Sequence, residues 1–521
     1  MSISTARKGS SLNGATDYSP LGQGEKQNDP LSRITALDTV VNDNTDGGVW
    51  ILGGSISLAY CCTYFWRYPI FMLPPSYLHN TTTSSNSNNN ESLDLQAWFS
   101  LAFIGGFGSS KLLGMQLLSS RFFFRHRLVL ILAMIWVSML VECLGVAVAP
   151  PHSSHMIPVI SVYISSFVQS WIYGALITYL EGRQQTETLL AAIIAATIAA
   201  GGMSRGTATL VLQTCPNLPP TQMPLAIGLV MATVASLAVV LASRQPPPTA
   251  LDQQTKCPRQ PMTWNQQMDF FQLYGWGVLG LYLAYALLVG VRSFRDFYSK
   301  QIFATSYDNG DDGQEVPSWM FFVADLPGAL LSAIVITTFQ GGGNHHATIF
   351  SNMVSTSMAF GVLVLVSTVA FLGNLLNGVW WQISLGIGIY GSFGILTTAI
   401  HERLIAATRT PGTCTFLVLL GDAGAYVVTL TILLLRDFAS SSSSSDSDND
   451  DKAQDVLQQF LPMIFLAIGT GLGTLWMARH YFQRKLQSME EEPHLDHLEA
   501  NGFHKEMDGD GSLELTKQST S

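Results

Sequence analysis

Twelve long apolar runs alternate with short polar segments along the chain, near 48–74, 94–119, 127–150, 156–181, 187–213, 222–243, 271–300, 317–339, 346–373, 377–400, 412–437 and 457–481. Crossing roughly 30 Å of hydrocarbon takes about 20 residues of helix, and every run meets that length. The pattern predicts an all-α membrane protein with twelve transmembrane helices. A polar stretch, 244–270, containing Pro246-Pro247-Pro248 and Lys256, separates the runs six from six. It predicts two six-helix halves, 47–243 and 271–482, joined by a linker. The tails 1–46 and 483–521 are polar, the second acidic, and are expected to lack order. The first also lacks the basic-then-apolar pattern of a cleaved signal peptide.

Composition agrees with the pattern. The 521 residues are 48% hydrophobic and 12% charged, about half the charged share of a soluble domain. The net charge of −10 resides mostly in loops and tails, which argues against nucleic acid as a partner. The six cysteines are scattered without metal-ligand spacing and read as small core residues. His152 with His155, and His345 with His346, lie in loops without further ligands nearby. No metal and no cofactor is expected. Asp508-Gly509-Asp510-Gly511 looks like part of a calcium loop, but its closing acid would fall at Lys517.

Loop charge predicts orientation. Arg121, Arg125, Arg127, Arg183, Arg244, Lys256, Arg259, Arg403, Arg409, Arg479, Arg484 and Lys485 all fall on one side. That side is expected to be cytoplasmic, with both termini. The opposite side carries acidic loops and two glycosylation triplets, at Asn80 and Asn90.

The halves repeat one another. Leu58-Ala59-Tyr60 precedes Arg67 in span one, and Leu283-Ala284-Tyr285 precedes Arg292 in span seven, at the same tyrosine-to-arginine distance. Tyr173-Gly174 with Leu176, Thr178 and Arg183 in span four matches Phe393-Gly394 with Leu396, Thr398 and Arg403 in span ten. Two parallel six-helix halves about a midplane site is the architecture of the major facilitator superfamily.

Charges at membrane depth are costly and mark candidate function. They are Arg67, Lys111, Glu142, Arg205, Arg292, Arg295, Asp296, Asp325 and Asp422. A guanidinium keeps its charge when desolvated and grips a phosphate or carboxylate through two bonds. Arg67 and Arg292, one from each half, could therefore clamp one dianion, with Lys111 drawing it inward and Tyr60, Tyr64 and Tyr285 offering hydroxyls. Arg292 could instead pair with Asp296 one turn on. Arg205 could pair with Glu142. Asp325 and Asp422 could carry protons, or neutralise Arg292 or Arg205. Pro327-Gly328, after Asp325, is where the eighth span is expected to break. Glu181 with Arg183, and Glu402 with Arg403, end spans four and ten and are candidates for an inner gate.

Tyr60 through Arg67, with Tyr64 between, resembles the first helix of the organophosphate–phosphate antiporters of that superfamily. Ser110-Lys111-Leu112-Leu113-Gly114 is similar to their second helix. The resemblance implies that Arg67 and Arg292 hold a phosphoryl group and that Lys111 lines the path. The antiporters' helix-five histidine has no counterpart; span five offers Arg205. A broader resemblance, over residues 55 to 330, is to a family of facilitator-like proteins of unknown function. It rests on Ser-Lys-x-x-Gly, on Tyr179-Leu180-Glu181-Gly182-Arg183 followed by Thr186-Glu187, and on Arg292-Ser293-Phe294-Arg295-Asp296-Phe297. It implies a fold and no substrate.

Together these readings predict a monomeric secondary carrier of a small anionic organic solute, such as an organophosphate exchanged for phosphate. Two alternatives stay open: a proton-coupled carrier of a neutral or cationic solute worked by Asp325 and Asp422, and a non-transporting receptor of the same fold. No nucleophile–base pair suggests an enzyme.

Overall fold

A computed structural model describes residues 30–78, 95–118, 121–148, 156–180, 186–245, 264–307, 316–340, 346–408, 414–441 and 449–507. The chain forms two compact units, Met1–Gly48 and Val49–Ser521. Helix is the dominant structure. The long helices are α1 (Pro30–Arg67), α2 (Leu95–Leu118), α3 (Arg121–Val148), α4 (Met156–Ile177), α5 (Thr186–Thr214), α6 (Met223–Ser243), α7 (Trp264–Phe297), α8 (Ser318–Gln340), α9 (His346–Leu372), α10 (Gly378–Gly394), α11 (Cys414–Ser441) and α12 (Asn449–Met507).

Among the described residues, eleven helices are long and apolar enough to cross a membrane. The remaining one, α2, has 24 residues, about 36 Å at 1.5 Å per residue. Large apolar side chains such as Val129, Trp276, Leu330, Val366 and Leu466 stay more than half exposed, as lipid-facing positions must. The protein is an integral, multi-pass membrane protein.

Helix contacts repeat with an offset of six. α2 packs on α4 as α8 packs on α10, α3 on α6 as α9 on α12, and α3 on α4 as α9 on α10. The main contacts between halves obey the same rule, α5 with α8 and α2 with α11. A duplicated sequence explains this, because equivalent faces then meet equivalent faces.

Local chemistry sets several boundaries. α1 gives way after Arg67: Tyr68 keeps helical angles and its N–H still bonds Tyr64 O at 3.1 Å, but Pro69 has no N–H to extend the ladder. The chain turns there through a short 3-10 segment, Pro69–Met72. Asn377 caps α10, its Oδ1 accepting from Trp380 N at 3.0 Å. Other boundaries differ from expectation. α10 does not end the tenth span: a π-helical segment, Ile395–Ala399, carries it into a further helix, Ile400–Thr408. α1 begins inside the first tail and α12 continues into the second. Extending an existing helix costs little once its nucleus is formed, so polar residues can follow an apolar span in helical form.

The eighth span does not break at Pro327; α8 runs through it. Close packing surrounds this stretch. A Cβ on Gly202 of α5 would fall on the carbonyl oxygen of Phe321. One on Gly386 of α10 would fall on that of Ala324. Glycine at both positions lets α8 lie backbone-close between two helices, where small residues drive association in lipid.

Candidate functional site

The end of α1 places Tyr60, Tyr64 and Arg67 on one face at helical spacing, and Tyr68, the next residue, continues it. Tyr64 meets Tyr60 edge-on at 5.7 Å and stacks on Tyr68 at 5.5 Å. Tyr60 also meets Tyr173 of α4 at 5.0 Å. Arg67 is buried, 7% exposed, in an aromatic surround. Its Cζ lies 4.3 Å from the Phe103 ring centre, 4.4 Å from Phe107, 4.9 Å from Tyr64 and 5.4 Å from Tyr68. Its Nε has no hydrogen-bond partner. Among the described residues no carboxylate forms a salt bridge with it. The ring faces stabilise the cation but leave its Nε–H without an acceptor.

The equivalent end of α7 carries Arg292, Arg295 and Asp296. Both oxygens of Asp296 are in use. Oδ1 accepts from Arg205 Nη1 of α5 at 2.9 Å and from Tyr390 Oη of α10 at 3.1 Å. Oδ2 accepts from Tyr68 Oη at 3.2 Å and lies 3.5 Å from Arg292 Nε. Arg205 also reaches Asp325 of α8 through Nη2. Asp325 Oδ1 receives Arg295 Nη1 at 2.7 Å, and Arg295 Nε donates to Gln382 Oε1 at 3.2 Å. This network ties α1 and α5 to α7, α8 and α10. Gln96 of α2 adds a tie, donating to Phe297 O at 2.8 Å and accepting from Gln301 at 2.6 Å.

A second charged layer lies further inside. Lys111 of α2 pairs with Asp422 Oδ2 of α11 at 3.0 Å, and Tyr285 Oη donates to Asp422 Oδ1 at 2.8 Å. Tyr285 precedes Arg292 by two turns of α7, about 10 Å at 1.5 Å per residue. Phe107 meets Tyr426 of α11 across the halves at 5.7 Å, and Tyr285 stacks on Phe393 within the second half at 6.1 Å. Arg292 lies over Phe393 at 4.3 Å and Tyr390 at 5.5 Å, as Arg67 lies over Phe103 and Phe107.

The charges do not balance. Arg205 and Arg295 match Asp296 and Asp325, and Lys111 matches Asp422. Arg67 is left without a carboxylate, and Arg292 has only the long contact to an aspartate already engaged by Arg205. Tyr68 links the two: Arg67 lies over its ring at 5.4 Å, and its hydroxyl donates to the Asp296 oxygen that Arg292 approaches. This arrangement can accept an anion of one or two charges.

Several expectations need correction. Arg205 does not pair with Glu142; it points across the interface to Asp296 and Asp325, while Glu142 accepts from Ser165 Oγ at 2.6 Å. Asp422 neutralises Lys111, neither Arg292 nor Arg205. Asp325 neutralises Arg205 and Arg295. Both arginines lie toward the C-terminal ends of their helices, α1 and α7. Of the gate residues, Glu181 and Arg183 lie outside the described residues, as do the two glycosylation triplets and His152, His155 and His345. Glu402 is half-buried, and Arg403 contacts His346 Nδ1 at 3.2 Å and donates to Phe339 O at 3.1 Å, both in its own half.

Sequence reasoning missed Tyr68, Phe103, Phe107, Tyr390, Gln382 and Tyr426. Tyr68 was detectable one turn beyond Tyr64. The others carry no local signal, since apolar helices contain many aromatic residues.

Duplicated six-helix halves joined through α5–α8 and α2–α11 define a membrane protein of the major facilitator type. The chain belongs to the family of unknown function DUF5690, which matches residues 81–485. No curated protein matches it in sequence. Among solved structures it is similar to the nucleoside transporter NupG, with a TM-score of 0.51 and 13% identity over 82% of this chain and 98% of that one. It is also similar to a bacterial homologue of the human lysosomal transporter Spinster, in an inward-facing, unoccupied conformation, with a TM-score of 0.52 and 11% identity over 85% and 98%. The human organic anion transporter MFSD10 gives a TM-score of 0.52 and 11% identity over 81% and 99%. At such identities the likeness is one of fold.

Proposed function

We propose that this protein is a secondary carrier of an anionic organic solute, working by alternating access, with Arg67 and Arg292 holding the anion. The observation that carries the reading is the surplus positive charge on these two guanidinium groups, Arg67 buried and Arg292 12% exposed, beside the interface of the halves. An uncompensated buried cation is costly, and a bound anion removes that cost. Two guanidinium forks suit a dianion such as a phosphate ester, and exchange for phosphate is the specific case they fit. Lys111 assists once its bridge to Asp422 opens. Tyr64 lies against Arg67 at 4.9 Å and Tyr60 against Tyr64 at 5.7 Å, which sets their hydroxyls near the clamp. The facilitator fold and its transporter neighbours favour carriage over simple binding. Basic loops favour cytoplasmic termini.

The alternative, a proton-coupled carrier of a neutral solute, would work through Asp325 and Asp422. Each is held in an ion pair, so neither can cycle a proton without opening a bridge.

The test is uptake of labelled phosphate esters into phosphate-loaded proteoliposomes. Arg67→Ala and Arg292→Ala are each expected to abolish it. Uptake equal to the parent in both variants would sink the assignment.

A further inference from the structure

Glu142 of α3 differs from the aspartates described above. It has no exposed surface. Ser165 of α4 donates to its Oε2 at 2.6 Å, and Oε1 has no hydrogen-bond partner. Among the described residues it forms no ion pair, whereas Asp296, Asp325 and Asp422 all do.

The helices α4 and α6, both packed on α3, carry no Asp, Glu, Lys, Arg or His. α4 presents Ser165, Ser166, Gln169 and Ser170 along one face, all buried. Ser166 Oγ, Ser170 Oγ and Gln169 Oε1 have no partner, while Gln169 Nε2 donates to Thr63 O of α1 at 2.9 Å. Trp66 Nε1 of α1 is unpartnered as well. On α3 itself the neighbouring Cys143 is engaged with Pro224 O at 3.3 Å. α6 has no titratable side chain along its length. Tyr77, from the short helix Pro75–Leu78, donates to Val146 O one turn further along α3. Trp66 of α1 and Cys143 of α3 meet at Gly228 of α6, each within 3.3 Å of where a Cβ would stand, so Arg67 and Glu142 are the next residues on two helices that converge there.

A carboxylate buried with one hydrogen bond and no counter-ion is poorly stabilised, and a proton removes the charge. The choice matters to Arg67. Ionised, Glu142 competes with an incoming anion for that guanidinium. Protonated, it leaves the Arg67 charge to the anion. Linkage is reciprocal: an anion at Arg67 must favour the proton on Glu142 by the same factor.

We propose that Glu142 is a proton-binding site linked to anion binding at Arg67, so that the solute crosses together with a proton. This rests on the reading that Arg67 holds an anion. The proton is taken from water on the loading side, forming one O–H bond on the carboxyl. That bond breaks at release, and the proton returns to water on the other side. In an exchange cycle both directions carry it.

The experiment uses the full chain in lipid nanodiscs. Infrared difference spectra between about pH 5.5 and 8.5 follow the carbonyl band of a protonated carboxyl. Sulfate, which stays a dianion across that range, is the calorimetric probe. The expected result is a titrating band that is absent in Glu142→Gln and displaced in Ser165→Ala. Parent sulfate affinity should fall about tenfold as the band is lost, a typical coupling factor, and should stay level in Glu142→Gln. A band that does not titrate, or an equal pH slope in parent and Glu142→Gln, overturns the proposal. Should Glu142→Gln fail to fold, the displacement in Ser165→Ala still assigns the band, and no displacement counts against the site. A titrating band without sulfate binding at any pH overturns the anion reading and the linkage together. The carboxyl would then stand as a proton site alone.

Discussion

Arg205 of α5 lies 2.9 Å from Asp296 of α7, an ion pair between the two halves with neither side chain more than 2% exposed. The same guanidinium also engages Asp325 of α8. One first-half cation therefore neutralises two second-half acids. Replacing it leaves Asp325 with Arg295 alone, and Asp296 with two tyrosine hydroxyls and the long Arg292 contact, in a nearly dry interface. Arg205→Met is expected to destabilise by about 3–5 kcal/mol, the cost of breaking a buried pair. Arg205→Lys should lose less, since it keeps the charge but cannot engage both acids. Thermal unfolding of the purified protein measures both, and a midpoint unchanged in Arg205→Met would mean the pair is not formed.

Arg67 and Arg292 should tolerate lysine poorly for a different reason. Lysine keeps the charge but loses the fork and the stacking against Phe103, Phe107 and Phe393. Each hydrogen bond to a charged partner is worth about 1.5–3 kcal/mol. Arg67→Lys and Arg292→Lys are therefore expected to weaken sulfate binding by roughly tenfold or more, with alanine worse at each site. Calorimetry at fixed pH decides this, and lysine variants equal to the parent would remove the argument for a bidentate grip.

Lys111 and Asp422 should be energetically coupled. Lys111→Ala leaves Asp422 with Tyr285 alone, and Asp422→Ala leaves the lysine unpaired. The double variant removes both. A double-mutant cycle on unfolding should give an interaction of about 0.5–3 kcal/mol, and additivity would contradict the bridge.

Gly202 admits no larger residue. A Cβ there meets the Phe321 carbonyl and, at 3.2 Å, Asp325. Gly202→Val should cost about 1–3 kcal/mol or more through overpacking. Gly469 of α12 has nothing within 4 Å of the same position, so Gly469→Ala should be neutral or stabilising. Equal unfolding midpoints for the two variants would contradict the close approach of α5 to α8.

Parts of this site were legible before any coordinates. Tyr60, Tyr64 and Arg67 declare themselves by spacing on one helix, and Arg292 with Asp296 by being one turn apart. The partner of Lys111 did not, because Asp422 is 311 positions away. Arg205 was matched with Glu142 on composition alone, since both are lone charges in the first half. Pro327 read as a break because a helix interior usually suffers from a missing N–H. Contact with α5 and α10 holds that helix continuous, and nothing local to Pro327 announces those neighbours.

Hydrophobic run length fixed the number of crossings, and repeated tyrosine–arginine spacing fixed the duplication, because both are properties of contiguous chain. Only the packed bundle decided which charges cancel. Neutralisation depends on side-chain atoms meeting within about 4 Å across helices far apart in sequence. That sorting consumed Arg205, Arg295 and Lys111 and left Arg67 and Arg292 carrying the excess.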